Sequence, residues 1–411
     1  MLDITKLISA FFLAVIIWSL TPAETYAQFS EGAPEYNVTE DVFDDSSLLR
    51  EFSFTEPLTA PLVYDFINTF ADQKPGYDYS GMSVYLGQSL PVKILESGRV
   101  KVIKSKEGET VLSDGEWTGF KGRFQAGLVY SETGEITVTK DKVSVAWSAG
   151  IIPDLKILTG PADGEATLQN NVADLKDLKY VHLPRILRVL CRFVEWVYKG
   201  IQSVTGLSWG LSLFLFAVVI KALLFPINVM TARLQGQANA HKAALEPIFN
   251  TIKEKYKGET AHKKVMAAYK ARGITPYYSL KPLLATMISL PVLIAIFNML
   301  GEILPLRDSA FLWIESLAYP DKIAALPLSL PLLGQSLNLL PFLMTGVTFL
   351  SAYSLKSATA SAGELRRQKR NLYLMGTAFF LIFYPFPSAM VLYWTLSTAL
   401  QFVINRVSKV T

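Results

Sequence analysis

Four stretches of this chain carry almost no charge, and they limit what it can fold into. From Leu207 to Met230 the single charged residue is Lys221, and none occurs in Pro282–Gly301, Ala324–Leu355 or Asn371–Asn405. A helix crossing the roughly 30 Å hydrocarbon core of a bilayer needs about 20 mainly apolar residues, so these stretches read as membrane spans. The last one, drawn as a single helix at about 1.5 Å per residue, would run to about 50 Å. Its middle, Phe383-Tyr384-Pro385-Phe386-Pro387-Ser388, holds two prolines, which break helices. It divides into spans of about 372–387 and 388–405. The other spans are about 207–230, 279–301 and 332–354, which makes five in all. The expected fold class is a polytopic α-helical membrane protein.

Composition agrees. Of 411 residues 51% are hydrophobic and 18% charged, whereas soluble domains average about 25% charged. The net charge of +4 is too small for a nucleic-acid binder held by bulk charge. One cysteine, Cys191, forms no internal bridge, and three histidines leave few ligands for a metal. No Gly-rich Lys-Ser/Thr loop for a nucleotide occurs. No metal, cofactor or enzymatic activity is expected.

Lys and Arg set the orientation. The loop 231–278 holds nine of them, among them Arg233, Lys255, Lys263 and Arg272, and the loop 356–370 holds Lys356, Arg366, Arg367, Lys369 and Arg370. Loop 302–323 holds only Arg307 and Lys322. Both basic loops fall on one side by span counting, which makes them cytoplasmic. The C-terminus then ends inside, and residues 28–206 lie outside. Residues 1–27 contain an apolar run, Leu7–Leu20, behind Lys6. Its length suits a signal peptide, and an uncleaved anchor is the other reading. Both send the next segment across the membrane.

Residues 28–178 read as an outer domain. Period-two runs such as Val100-Lys101-Val102-Ile103, Ile136-Thr137-Val138-Thr139 and Val143–Trp147 alternate with turns such as Thr133-Gly134. Short strands with frequent turns predict an antiparallel β-sandwich. Residues 179–206 set Lys179, Arg185, Arg188, Arg192 and Lys199 among Leu183, Ile186, Leu190, Phe193 and Trp196. That is a basic amphipathic helix, expected on the outer membrane–water interface.

Lys221 lies roughly 20 Å into its span by helix rise. A charge there costs at least about 2.5–3.5 kcal/mol and normally faces a bundle interior or water. No acidic residue lies inside any span, unlike a proton relay or ion-coupled transporter. The neutral polar residues Ser289, Asn298, Thr345, Thr395, Ser397 and Gln401 could line a wet groove with it. In 231–278, Leu245, Ile248, Ile252 and Tyr256, then Val265, Ala268 and Tyr269, fall at helical spacing on either side of Gly258. They predict a cytoplasmic helical hairpin.

These residues together resemble the YidC/Oxa/Alb family of membrane protein insertases, over about 180–408. Lys221-Ala222-Leu223-Leu224-Phe225-Pro226 is similar to the family's Arg five residues before a Pro. Pro247, Lys255-Tyr256-Lys257, Ala268-Tyr269-Lys270 and Pro276 match its hairpin pattern, and Pro282-Leu283-Leu284 and Pro291-Val292 its third span. Phe311-Leu312-Trp313 matches its outer loop. Phe386-Pro387-Ser388-Ala389-Met390-Val391-Leu392-Tyr393-Trp394 resembles its last hairpin. Gly115-Glu116-Trp117-Thr118-Gly119 weakly resembles a motif of the large periplasmic domain in Gram-negative members. The chain departs from the pattern where Lys221 replaces Arg, Ala389 Gly, Ser289 Gln and Thr275 Asn.

The resemblance implies a five-span insertase core in 207–411 and a periplasmic domain shorter than in typical Gram-negative members. It implies a bacterial inner membrane location and an insertase and chaperone for nascent membrane proteins. Its substrate groove would be hydrophilic, open to cytoplasm and lipid, with Lys221, Tyr393, Trp394 and Gln401 as candidates. Pro226, Trp313, Pro387 and Ser388 are the structural motif residues. The lipid bilayer and the Sec translocon are implied partners. The ribosome stays open as one, without a long basic tail before Thr411 to dock it. A small-solute transporter or channel is the alternative, disfavoured by the lack of a visible internal repeat.

Overall fold

The computed structural model of the chain describes residues 27–30, 33–42, 47–69, 89–95, 100–103, 111–112, 116–162, 178–271, 281–330, 334–355 and 362–407. The apolar run near the N-terminus falls outside them. The described residues form two compact units, one of those up to Pro184 with Glu302–Leu304, the other of the rest from Arg185 on.

The described residues of the first unit form twelve strands in two antiparallel sheets. The smaller sheet runs in the order β1 (Ala27–Phe29), β4 (Leu62–Ile67), β11 (Lys142–Trp147), β10 (Glu135–Val138), β7 (Val111–Leu112). The larger runs β2 (Tyr36–Val42), β3 (Leu48–Phe54), β12 (Asp154–Pro161), β9 (Gln125–Tyr130), β8 (Trp117–Lys121), β5 (Leu90–Ile94), β6 (Val100–Val102). Side chains alternate across a pleated strand, so Leu62, Tyr64 and Phe66 are buried while Val63 and Ile67 are exposed. Tyr64, Phe66, Val143 and Val145 of one sheet share a core with Phe54, Phe120, Val129 and Ile157 of the other. That shared core makes the pair of sheets a sandwich.

The larger sheet is covered on its second face too, where Val92, Trp117, Leu128 and Leu158 pack with Leu178 and Val181. All five residues of β8 are consequently buried. In Trp117-Thr118-Gly119 the glycine has a steric reason. A Cβ on Gly119 would stand 2.0 Å from the Gly127 carbonyl oxygen. The Thr133-Gly134 turn is pinned by Asp154, whose carboxylate accepts from Ser131 Oγ, Glu132 N (2.7 Å), Thr133 N (2.9 Å) and Thr133 Oγ1.

The second unit is mainly helical. Helix α1 (Arg185–Thr205) buries Cys191, Val194, Glu195 and Tyr198 and exposes Ile186, Val189, Phe193 and Trp196. Its Tyr198 hydroxyl donates to the Trp209 carbonyl at 2.7 Å. Gly206, at φ 64°, ends the helix in the left-handed region that glycine occupies without a Cβ penalty. Helix α2 (Trp209–Lys255) follows, 47 residues long with Pro226 and Pro247 inside it. It continues through residues 231–255, so the first arm of the expected hairpin is an extension of the span helix. The second arm is α3 (Gly258–Ala271). Helix α4 (Lys281–Glu302) leads to a loop, then to strands β13 (Lys322–Leu330) and β14 (Gly334–Asn338) and helix α5 (Leu340–Ser354).

The strand pair differs from the span expected over 332–354. Lys322–Leu330 and Gly334–Asn338 pair antiparallel, and the helix starts only at Leu340. Pro327 and Gly334 disfavour a helix there, and a short apolar run does not by itself distinguish strand from span. Pro327 falls where the β13–β14 register shifts, a place that tolerates its missing N–H. Helices α6 (Ala362–Phe383) and α7 (Ser388–Val407) flank a turn at 384–387. Helix α6 begins inside the loop expected over 356–370.

Among the described residues, Trp209–Thr231 is the one helix long and apolar enough to cross a membrane. Ser289–Glu302, Leu340–Ser354 and Ser388–Ile404 are shorter apolar helices. Leu223, Phe225, Leu350, Leu374, Leu381 and Val403 are large apolar residues left exposed on these helices.

Candidate functional site

Burial changes along α2. Leu213, Phe216, Ala217 and Ile220 are buried, and from Lys221 to Ala244 no described side chain is. The same change occurs in α7, where Ala389 to Tyr393 are buried and Trp394 to Phe402 are half-buried. Lys221 sits at this transition. Its Nζ donates to Gln401 Oε1 at 3.2 Å, bridging 180 residues of sequence. Even a half-buried ammonium costs free energy unless its protons find acceptors, and the Gln401 amide oxygen supplies one without cancelling the charge.

Of the other groove candidates, Tyr393 is packed in the interior. Its ring lies 5.9 Å from Phe216 and 6.5 Å from Phe297. Trp394 is half-buried and stacks on Phe297 with centroids 5.9 Å apart and a 23° tilt. It also meets Phe379 edge-on at 5.0 Å. Lys221 and Gln401 are therefore brought together by a direct bond. Tyr393 and Trp394 belong to an aromatic cluster on the same helix as Gln401.

Three of the four structural motif residues, Trp313, Pro387 and Ser388, gather around the loop between α4 and β13. Ser388 is fully buried. Its N donates to the Tyr319 carbonyl at 2.8 Å, and its hydroxyl donates to the same oxygen. Ala389 N donates to the Leu317 carbonyl at 2.9 Å. The Pro387 carbonyl accepts from Met390 N and Val391 N, opening α7. Pro226 lies exposed on α2, beyond Lys221. Trp313 Nε1 donates to Asp321 Oδ2 at 3.1 Å.

Asp321 is the residue that sequence reasoning missed. Its Oδ2 also accepts from Leu339 N at 2.9 Å and Leu340 N at 2.6 Å. Burial pushes its carboxyl above the usual carboxylate range, and the N–H donors of Leu340, Trp313 and Leu339 pull it back. Helix caps are normally read from the residue at the helix start. Here that residue is Leu339, which has no capping side chain, so the local signal was absent.

These features define a bundle of apolar helices with a cation held at the level where its packing opens. The family model described as 60Kd inner membrane protein matches residues 200–410, half of the chain, and the chain belongs to that family. A protein of Chlamydia trachomatis named membrane protein insertase YidC is 34% identical over 223 residues, which are 51% of this chain and 27% of that protein. A protein of the same name from Leptospira interrogans is 30% identical over 227 residues, 53% of this chain and 34% of that one. One from Chlorobium luteolum is 26% identical over 358 residues, 79% of this chain and 57% of that protein. The chain thus spans well under half the length of the first two relatives. A solved structure titled as an active YidC insertase with its first transmembrane domain resolved matches at 14% identity and TM-score 0.39, covering 98% of this chain and 99% of that one.

Proposed function

We propose that this chain is a membrane protein insertase, with 28–178 outside the cytoplasmic membrane and 231–278, 356–370 and the C-terminus inside. The observation that carries the reading is the Lys221–Gln401 pair, set where α2 and α7 cease to be buried. Membership of the 60Kd inner membrane protein family supports it. The exposed apolar residues on α2, α5, α6 and α7 suit helices that face lipid.

The mechanism follows from solvation. The polar tail of a nascent membrane protein must cross about 30 Å of hydrocarbon. A wet groove with a fixed positive charge replaces hydrocarbon by polar contacts over the inner part of that path. Lys221 attracts acidic and polar groups of the tail, and Gln401 holds the ammonium in place. The apolar segment then moves sideways into lipid, driven by burial of nonpolar surface at roughly 25 cal/mol per Å². Nascent membrane proteins are the substrates in this reading, with the Sec translocon and the ribosome as candidate partners. Insertion of a single-span test protein into liposomes containing this chain tests it. Insertion without solute flux is the expected result, and flux of small solutes without insertion would replace this reading with a channel.

A further inference from the structure

The loop before β13 holds the starts of three helices. Its backbone is knit to itself by Phe311 N to Ile314 O (2.9 Å), Leu317 N to Ser309 O (3.0 Å) and Ala318 N to Leu306 O (3.1 Å). The Phe311 ring lies against Gly210 in the first turn of α2, where an added Cβ would stand 2.2 Å from it. The Leu317 and Tyr319 carbonyls accept the first amides of α7. Asp321 accepts the first amides of α5 and the Trp313 indole with one oxygen. Each helix start carries unsatisfied N–H groups and a partial positive charge, so two of them, those of α5 and α7, meet acceptors from one short segment, while the start of α2 packs against its Phe311 ring. The loop is itself core: Ile314, Leu317, Ala318, Tyr319 and Asp321 are buried. Beyond Lys221 α2 buries no described side chain until Leu245, and α7 buries none of its described side chains after Tyr393.

We propose that Asp321 is a positioning residue that locks α5 to this loop, so that the three helix starts form one fixed block and the bundle opens only at its other end. The proposal rests on the insertase reading for its role in transport, since a fixed outer block keeps the groove closed on that side while a substrate enters from the other. Capping of α5 alone would be a local task that a side chain at Leu339 could perform. Asp321 does more, because the same oxygen that takes the α5 amides takes the Trp313 N–H.

Two readouts in the full-length chain test this, both with a Ser316→Cys reporter inside the loop. One is the rate at which an impermeant thiol reagent labels residue 316 from outside, and the other is insertion per molecule of a single-span test protein. Asp321→Ala should raise labelling and lower insertion, each by about tenfold. Asp321→Asn keeps an acceptor oxygen and should give about a threefold change. Adding Leu339→Ser to Asp321→Ala restores a local cap, and should recover thermal stability but neither readout. Labelling of Asp321→Ala at the parent rate overturns the proposal, and so does recovery of both readouts by Leu339→Ser, which would reduce Asp321 to a cap. If Asp321→Ala fails to accumulate, the Asn variant makes the same comparison, and parent-rate labelling there is equally fatal. Labelling is independent of transport. Faster labelling in a chain whose parent inserts nothing would sink the insertase reading and leave the positioning role standing.

Discussion

At the scale of single residues, Lys221 and Asp154 carry the sharpest expectations. Two unit charges at 4 Å interact by about 4 kcal/mol at an effective dielectric of about 20, and desolvation removes much of it, leaving about 1 kcal/mol for Lys221 on an acidic tail. Lys221→Arg should preserve insertion in proteoliposomes or raise it slightly. Lys221→Ala should lose about fivefold with acidic-tailed substrates, and Lys221→Glu should lose most. If Lys221→Gln matches the parent on neutral and acidic tails alike, hydration matters and charge does not. If Lys221→Glu matches it at equal abundance, Lys221 is not in the substrate path. Asp154 concerns the sandwich instead. Burial raises its carboxyl, but the donors of residues 131–133 outweigh burial and hold it below the usual carboxylate range. A carboxyl depressed by folding contributes stability that is complete above its unfolded value of about 3.9 and is lost as pH falls through the lower folded value. Asp154→Asn should lower neutral stability by about 1–3 kcal/mol and flatten the acid loss. Denaturant midpoints of the sandwich taken from about pH 3 to about pH 7 check this, and an unchanged acid slope in the variant would count against it. The sequence made Lys221 visible because a lone charge in an apolar run is rare. It hid Asp321, since a carboxylate that caps a helix 18 residues later leaves no local pattern.

The elements repeat that contrast. The last helical pair was legible because two prolines within three residues leave a helix nowhere to continue. The β13–β14 hairpin was not, because freedom from charge describes an apolar strand and an apolar span equally well. The difference shortens α5 to 15 residues, about 22 Å at helix rise, against a hydrocarbon core of about 30 Å. A short span thins the bilayer around it at a modest cost per Å of mismatch. Lipid-phosphate layers in a nanodisc reconstruction should therefore come closer together beside α5. A uniform bilayer thickness around the protein would refute the expectation.

For the molecule as a whole, the sandwich closes its own two cores, and the Lys221–Gln401 pair and the Asp321 loop lie in the helical unit. A chain lacking residues 30–170 should retain at least about half its insertion per molecule, the scatter expected when no transport contact is lost. A stable, correctly oriented deletion that inserts nothing would show that the sandwich takes part. The long helix α2 has a mechanical side as well. Its 47 residues rise by about 70 Å along the helix path, seated at one end where Phe311 fills the space beside Gly210, with Pro226 and Pro247 as the points where it can bend. A bend of about 5° at Pro226 swings the Lys255 end, about 29 residues and 43 Å further on, by about 4 Å. A movement too small to disturb the seat is thereby magnified at the basic end of the helix, tens of ångströms away.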